Sequence, residues 1–136
     1  EETYADYAST GLTLGIHPLA LLRPQLTELG IATNAEVYQR TQGTTIRITG
    51  LVVTRQQPSS ANNVTFVTLE DETGSINLVV WEKIAKHQNR ELARAQLLGA
   101  SGKIQREGGV VHLVVHRLFD HTEMLGKLVT QSRDFY

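Results

Sequence analysis

The chain has 136 residues, 40% hydrophobic and 20% charged, with a formal net charge of −1, no cysteine and a mean hydropathy of −0.19. That length suits one compact domain with a small appendage, and the missing cysteines exclude disulfides, thiolate metal sites and a cysteine nucleophile. No apolar run approaches the ~18–20 residues of a membrane span and no signal-like segment opens the chain, so the expectation is a cytoplasmic protein with no membrane partner.

The chain begins at Glu1 without a methionine, which suggests a fragment of something longer. Its charge is uneven. Residues 1–43 carry two basic and five acidic side chains, residues 44–117 nine and six, and residues 118–136 two and three. A mildly basic middle between acidic ends is compatible with a phosphate-binding core.

Residues 1–16 show no sustained period and read as an extended lead-in. His17-Pro18 starts a helix, since proline suits the first helical position. Leu19, Leu22, Leu26 and Leu29 form its apolar stripe. Pro24 is expected to kink or break it near Arg23, and Gly30 to end it. A second short helix is predicted from Thr33 or Asn34 to about Thr41, closed by Gly43. Both helices look like packing elements.

From Thr44 the period changes to that of strands. In TTIRITGLVVTRQ, Ile46, Ile48 and Val52 alternate against Arg47, Thr49, Leu51, Val53 and Arg55, and Gly50 marks a bulge or bend. QQPSSANN is a polar loop. FVTLEDETGSINLVVW (66–81) reads as two strands turned by Asp71-Glu72-Thr73-Gly74, with Asp71 capping the turn and Gly74 supplying a positive φ. Residues 82–96 read as a helix. LLGASGKIQRE and GGVVHLVVHRLF are two more strands around a Glu107-Gly108-Gly109 turn. A short helix and a polar tail end the chain.

One long bent strand, two more strands, a helix and a final pair of strands describe a mainly β fold: the five-stranded oligonucleotide/oligosaccharide-binding barrel (OB-fold). The expected division is a helical lead-in at 1–43, the barrel at 44–118 and a helix with tail at 119–136.

Parity then sorts the hairpin's faces. Val67 and Leu69 share one side with Ile76, Leu78 and Val80, the natural core. Phe66 and Thr68 fall on the other side, with Asn77, and with Arg47 and Thr49 from the first strand. An outward aromatic among Arg, Thr and Asn has the composition of a base-stacking platform. The competing reading is that the leucine-rich helix covers Phe66. Trp81, at the strand-to-helix corner, reads as a core cap. Arg55 and Arg106, near the two loops, are phosphate candidates by position. His112 and His116 share a strand face about 13 Å apart, too far to chelate one ion. No metal, cofactor or catalytic residue is expected. Glu70-Asp71-Glu72 reads as a structural turn, and the leucines of QLTEL (25–29) belong to the helical stripe.

The Phe-x-x-Leu-Glu-Asp-x-x-Gly run of the hairpin resembles the barrel of bacterial C-family replicative DNA polymerases. It also resembles, more loosely, the anticodon-binding barrel of class II aminoacyl-tRNA synthetases. The latter likeness implies that Phe66 stacks on a base and Asn77 reads one. GLTLGIHPLALLRPQL, GLVVTRQQP, KIQREGGVVHLVV and SRDFY together look like the C-terminal region of the error-prone branch of the C family. That resemblance implies a non-catalytic part of a damage-inducible polymerase. The partners it implies are single-stranded template DNA, a Y-family-like mutagenesis protein, a small RecA-like protein and, by the same likeness, the sliding clamp. The expected roles are stacking for Phe66, phosphate contact for Arg47, Arg55 and Arg106, and hydrogen bonding for Thr68 and Asn77, with Thr49 also in the expected nucleic-acid-binding set. The rival expectation is a docking module for the mutagenesis partner.

Overall fold

A computed structural model describes residues 15–57 and 63–134. Most of the expected lead-in, the tip of the QQPSSANN loop and the last two residues lie outside the described residues. Helix α1 (Pro18–Glu28) and α2 (Asn34–Gln39) precede β1 (Thr45–Gln56), β2 (Thr65–Asp71) and β3 (Gly74–Val80). Then come α3 (Glu82–His87), α4 (Asn89–Arg94), β4 (Leu97–Glu107), β5 (Val110–Asp120) and α5 (Thr122–Asp134). The strands close into a barrel in the order β1-β2-β3-β5-β4, with β3 and β5 parallel and every other pair antiparallel. Closure leaves no free sheet edge.

Side chains that alternate inward fill the barrel: Ile46, Ile48, Val67, Leu69, Ile76, Leu78, Ile104 and Leu113 are all buried. A second cluster lies outside it, where Leu19, Leu22 and Leu26 of α1 and Leu125 of α5 pack on Leu51 and Leu97. That cluster fixes where α1 sits. It covers the middle of β1.

The helix runs through Pro24 without breaking. Proline removes one backbone donor, but Leu22 and Leu26, buried on either side, hold the turn together. Leu29 falls outside the buried stripe and is 50% exposed as the C-cap. His17 starts α1 by accepting from the Leu19 N–H at 3.1 Å, and Thr33 and Glu36 form a capping box that starts α2.

Two irregularities differ from the sequence reading. The bulge in β1 falls at Val53, between the Val52 and Thr54 pairings, not at Gly50. Gly50 serves close approach instead, since a Cβ there would stand 2.9 Å from the Glu70 carbonyl oxygen of β2. The helix expected over 82–96 is two helices, parted at Gln88. The Gln88 amide pairs with the Leu118 backbone, accepting from its N–H at 2.7 Å and donating to its C=O at 2.8 Å, and so pins the break to β5. The Gly108-Gly109 turn has positive φ at both residues, as a two-residue hairpin with the sheet's twist requires.

Candidate nucleic-acid interface

The β2–β3 hairpin is held at its tip by one carboxylate. Asp71 Oδ1 accepts from Thr73 N (2.8 Å), Thr73 Oγ1 (2.7 Å) and Gly74 N (3.2 Å), which closes the turn. Its Oδ2 accepts from Asn34 N (2.7 Å) and Arg23 Nη2 (3.2 Å), tying α1 and α2 to the hairpin. Arg23 also grips Glu72 through two bonds of 2.6 and 2.8 Å. Burial opposes ionisation of Glu72 more than any single contact favours it, yet the hydrogen bonds from Arg23, a backbone hydrogen bond and the nearby charges of Arg23 and His17 together hold the carboxyl below its ordinary value. The acidic turn is thus an anchor, and it fixes the hairpin's orientation.

On the outer face of that hairpin Phe66 remains 37% exposed. The N-terminal helix packs on Leu51 and Leu97 instead, so the covering helix considered from sequence lies elsewhere. Beside Phe66, a chain of hydroxyl and amide groups crosses three strands. Thr54 Oγ1 of β1 donates to Thr68 Oγ1 of β2 at 3.1 Å, and Thr68 donates to Asn77 Oδ1 of β3 at 2.8 Å. Each bond polarises the next. With its oxygen engaged, Asn77 has no partner for its amide NH2 among the described residues, and the side chain is exposed. The face therefore offers an aromatic surface and an oriented donor side by side.

Trp81 corrects an expectation. It is 50% exposed at the N-cap of α3, one residue beyond the end of β3, and does not cap the core. Thr54 and Gln56, opposite Thr68 and Phe66, are part of the face. Only the bulge at Val53, which shifts the parity of β1, puts them there.

The structure does not bring the other expected residues to this face. Thr49 is fully buried and, together with the His121 ring, flanks Gly99. Arg55, set opposite Val67 by the Val53 bulge, donates to the C=O of Leu92 (2.6 Å) and of Ala95. Arg106 donates to the C=O of Tyr38 (2.5 Å) and Arg40 (2.7 Å), closing the end of α2. Both arginines are already engaged with backbone carbonyls, which lie far from them in sequence. Arg47 lies where β1 pairs with β4, opposite Ser101, its guanidinium carbon 4.6 Å from the Phe119 ring centroid.

Residues 46–120 match the model of the family described as an OB-fold nucleic acid binding domain. The chain belongs to that family. This OB-fold chain is also 53% identical, over all 136 residues, to an error-prone DNA polymerase of Alkalilimnicola ehrlichii, and it spans 13% of that relative's length. The polymerase of Methylococcus capsulatus is 51% identical over 99% of this chain, again with 13% of the relative covered. Among solved structures, the asparaginyl-tRNA synthetase of Pyrococcus horikoshii superposes with a TM-score of 0.55 at 19% identity, over 67% of this chain and 22% of that one. Such a distant likeness shows the barrel fold alone.

Proposed function

We propose that this OB-fold domain binds single-stranded nucleic acid on the outer face of β2 and β3, as a non-catalytic part of an error-prone DNA polymerase. The observation that carries the reading is the uncovered Phe66 beside the Thr54–Thr68–Asn77 chain. Phe66 and Trp81 stack on bases, and stacking tolerates any sequence because every base has a π-face. The Asn77 amide donates to a base edge or a sugar. The natural ligand is template strand during synthesis past damage in the cytoplasm. The domain divides at 44–118, with 1–43 and 119–136 as flanking parts. Contacts with a Y-family-like partner or the sliding clamp fall to surfaces away from this face. Chemistry resides in the rest of the polymerase, because two-metal phosphoryl transfer needs clustered carboxylates around a nucleotide pocket, and the acidic turn is consumed by Arg23 and the backbone.

Trp81 is the chain's one tryptophan, so its fluorescence reports on the end of β3 directly. Oligo-dT of about 15 nucleotides is expected to quench it saturably at low salt. A second reading, docking to another protein, is favoured by the net charge of −1 and by the exposed Leu21 of α1 and its C-cap Leu29. On that reading oligo-dT leaves Trp81 fluorescence unchanged.

A further inference from the structure

On the β1-β4-β5 part of the barrel, two arginines share one aromatic ring. The guanidinium carbons of Arg47 (β1) and Arg117 (β5) lie 4.6 and 5.2 Å from the Phe119 ring centroid, and His121 stacks on that ring at 6.0 Å. The ladder Arg47–Ser101–Arg117 places both cations on either side of a small serine in β4. Two residues further along β4, about 7 Å at the usual rise, Lys103 is exposed between Thr45 and Val114. None of the outward positions of β4 from Gly99 to Gln105 is acidic, and neither are their partners on β1 and β5.

Cations held this close without a carboxylate repel one another, and the π-face of Phe119 offsets only part of that repulsion. No ion pair engages Arg47, Lys103 or Arg117 among the described residues, whereas Arg23 and Arg40 both have carboxylates. Arg47 Nε is buried with no hydrogen-bond partner there. An oxyanion between the two guanidiniums relieves the repulsion by neutralising them. The register also connects this patch to the platform. Asn77 of β3 neighbours His112 of β5, and Gln105 and Lys103 of β4 stand opposite His112 and Val114, so a polar path leads from Asn77 to Arg117.

We infer that Arg47, Arg117 and Lys103 form a second subsite, which takes the phosphodiester groups of a strand leaving the Phe66 platform along β5 and β4. This inference rests on the proposed single-strand binding and extends it around the barrel.

The test compares oligo-dT of about 5 and about 15 nucleotides across a salt series, using the 136-residue chain, an Arg117→Gln/Lys103→Gln double variant and Phe66→Ala. Both substituted cations are exposed, and circular dichroism checks that the fold is kept; Lys103→Gln alone serves if it is not. Removing two phosphate contacts is expected to flatten the log–log salt slope for the longer strand by about 1.4 and to leave the shorter strand's slope unchanged. Phe66→Ala is expected to weaken both strands. If the double variant keeps the full slope while Phe66→Ala still weakens binding, the second subsite is refuted and the platform stands. If Phe66→Ala has no effect while the slope falls, the subsite stands without the platform. An oligo-glutamate peptide that binds as tightly as the long strand, with the same dependence on Arg117, makes this a protein-docking surface and overturns the inference.

Discussion

Asp71 carries more structure than any other polar residue here, because one buried carboxylate closes a hairpin and holds two helices. Asp71→Ala leaves those donors unpaired and is expected to cost about 3–5 kcal/mol, read as a lower urea midpoint with an unchanged m-value. Trp81 is the opposite case, half exposed and without a side-chain capping bond. Trp81→Ala is expected to leave the urea midpoint nearly unchanged and to weaken oligo-dT binding by about 1–3 kcal/mol. A shifted midpoint with unchanged binding would return Trp81 to a packing role. That Phe66, Thr68 and Asn77 share one face of the hairpin was legible from strand parity alone. Arg55 and Arg106 were not, since an isolated arginine in sequence gives no sign of a carbonyl partner across the fold.

Strand and helix elements followed their periods, and the departures arise where the period is ambiguous. Leu51-Val52-Val53 is apolar throughout, so nothing in it marks which residue is extra, and the bulge at Val53 sets Thr54 opposite Thr68 and Arg55 opposite Val67. The split of the helix at Gln88 depends on the Leu118 backbone, thirty residues away. Beside the β5 bulge at His116, β4 has no room for a side chain at Gly102, because a Cβ there would collide with the Val114 carbonyl oxygen. Gly102→Ala is therefore expected to lower the melting temperature sharply, and an unchanged value would contradict this packing. The contact of α1 with the hairpin has a pH signature. Glu72 ionises below its ordinary 4.5, so its stabilisation is complete above that value and fades as the pH falls through the folded-state value. His121 is held below its ordinary 6.5, first by burial and then by the charge of Arg47. The unfolded chain thus binds that proton more readily, and stability is expected to fall as the pH drops below 6.5. Urea midpoints taken across that range check both, and Arg23→Gln should remove most of the part below 4.5.

For the whole molecule, a net charge of −1 argues against binding by charge alone, so affinity must come from stacking and from cations gathered in one place. The closed barrel supplies both by presenting different outward faces at β2-β3 and at β1-β4-β5, and the α1–α5 cluster separates them along β1 by covering Leu51. The barrel itself was readable from the order and bending of its strands. Which parts of its surface stay uncovered was not, because that depends on where α1 docks. The most direct test of the central claim is the affinity of the 136-residue chain for oligo-dT at low and moderate salt, alongside Phe66→Ala. The expected result is salt-sensitive binding that Phe66→Ala weakens by about 1–3 kcal/mol. Binding that is absent at low salt, or indifferent to Phe66→Ala, would contradict the stacking platform.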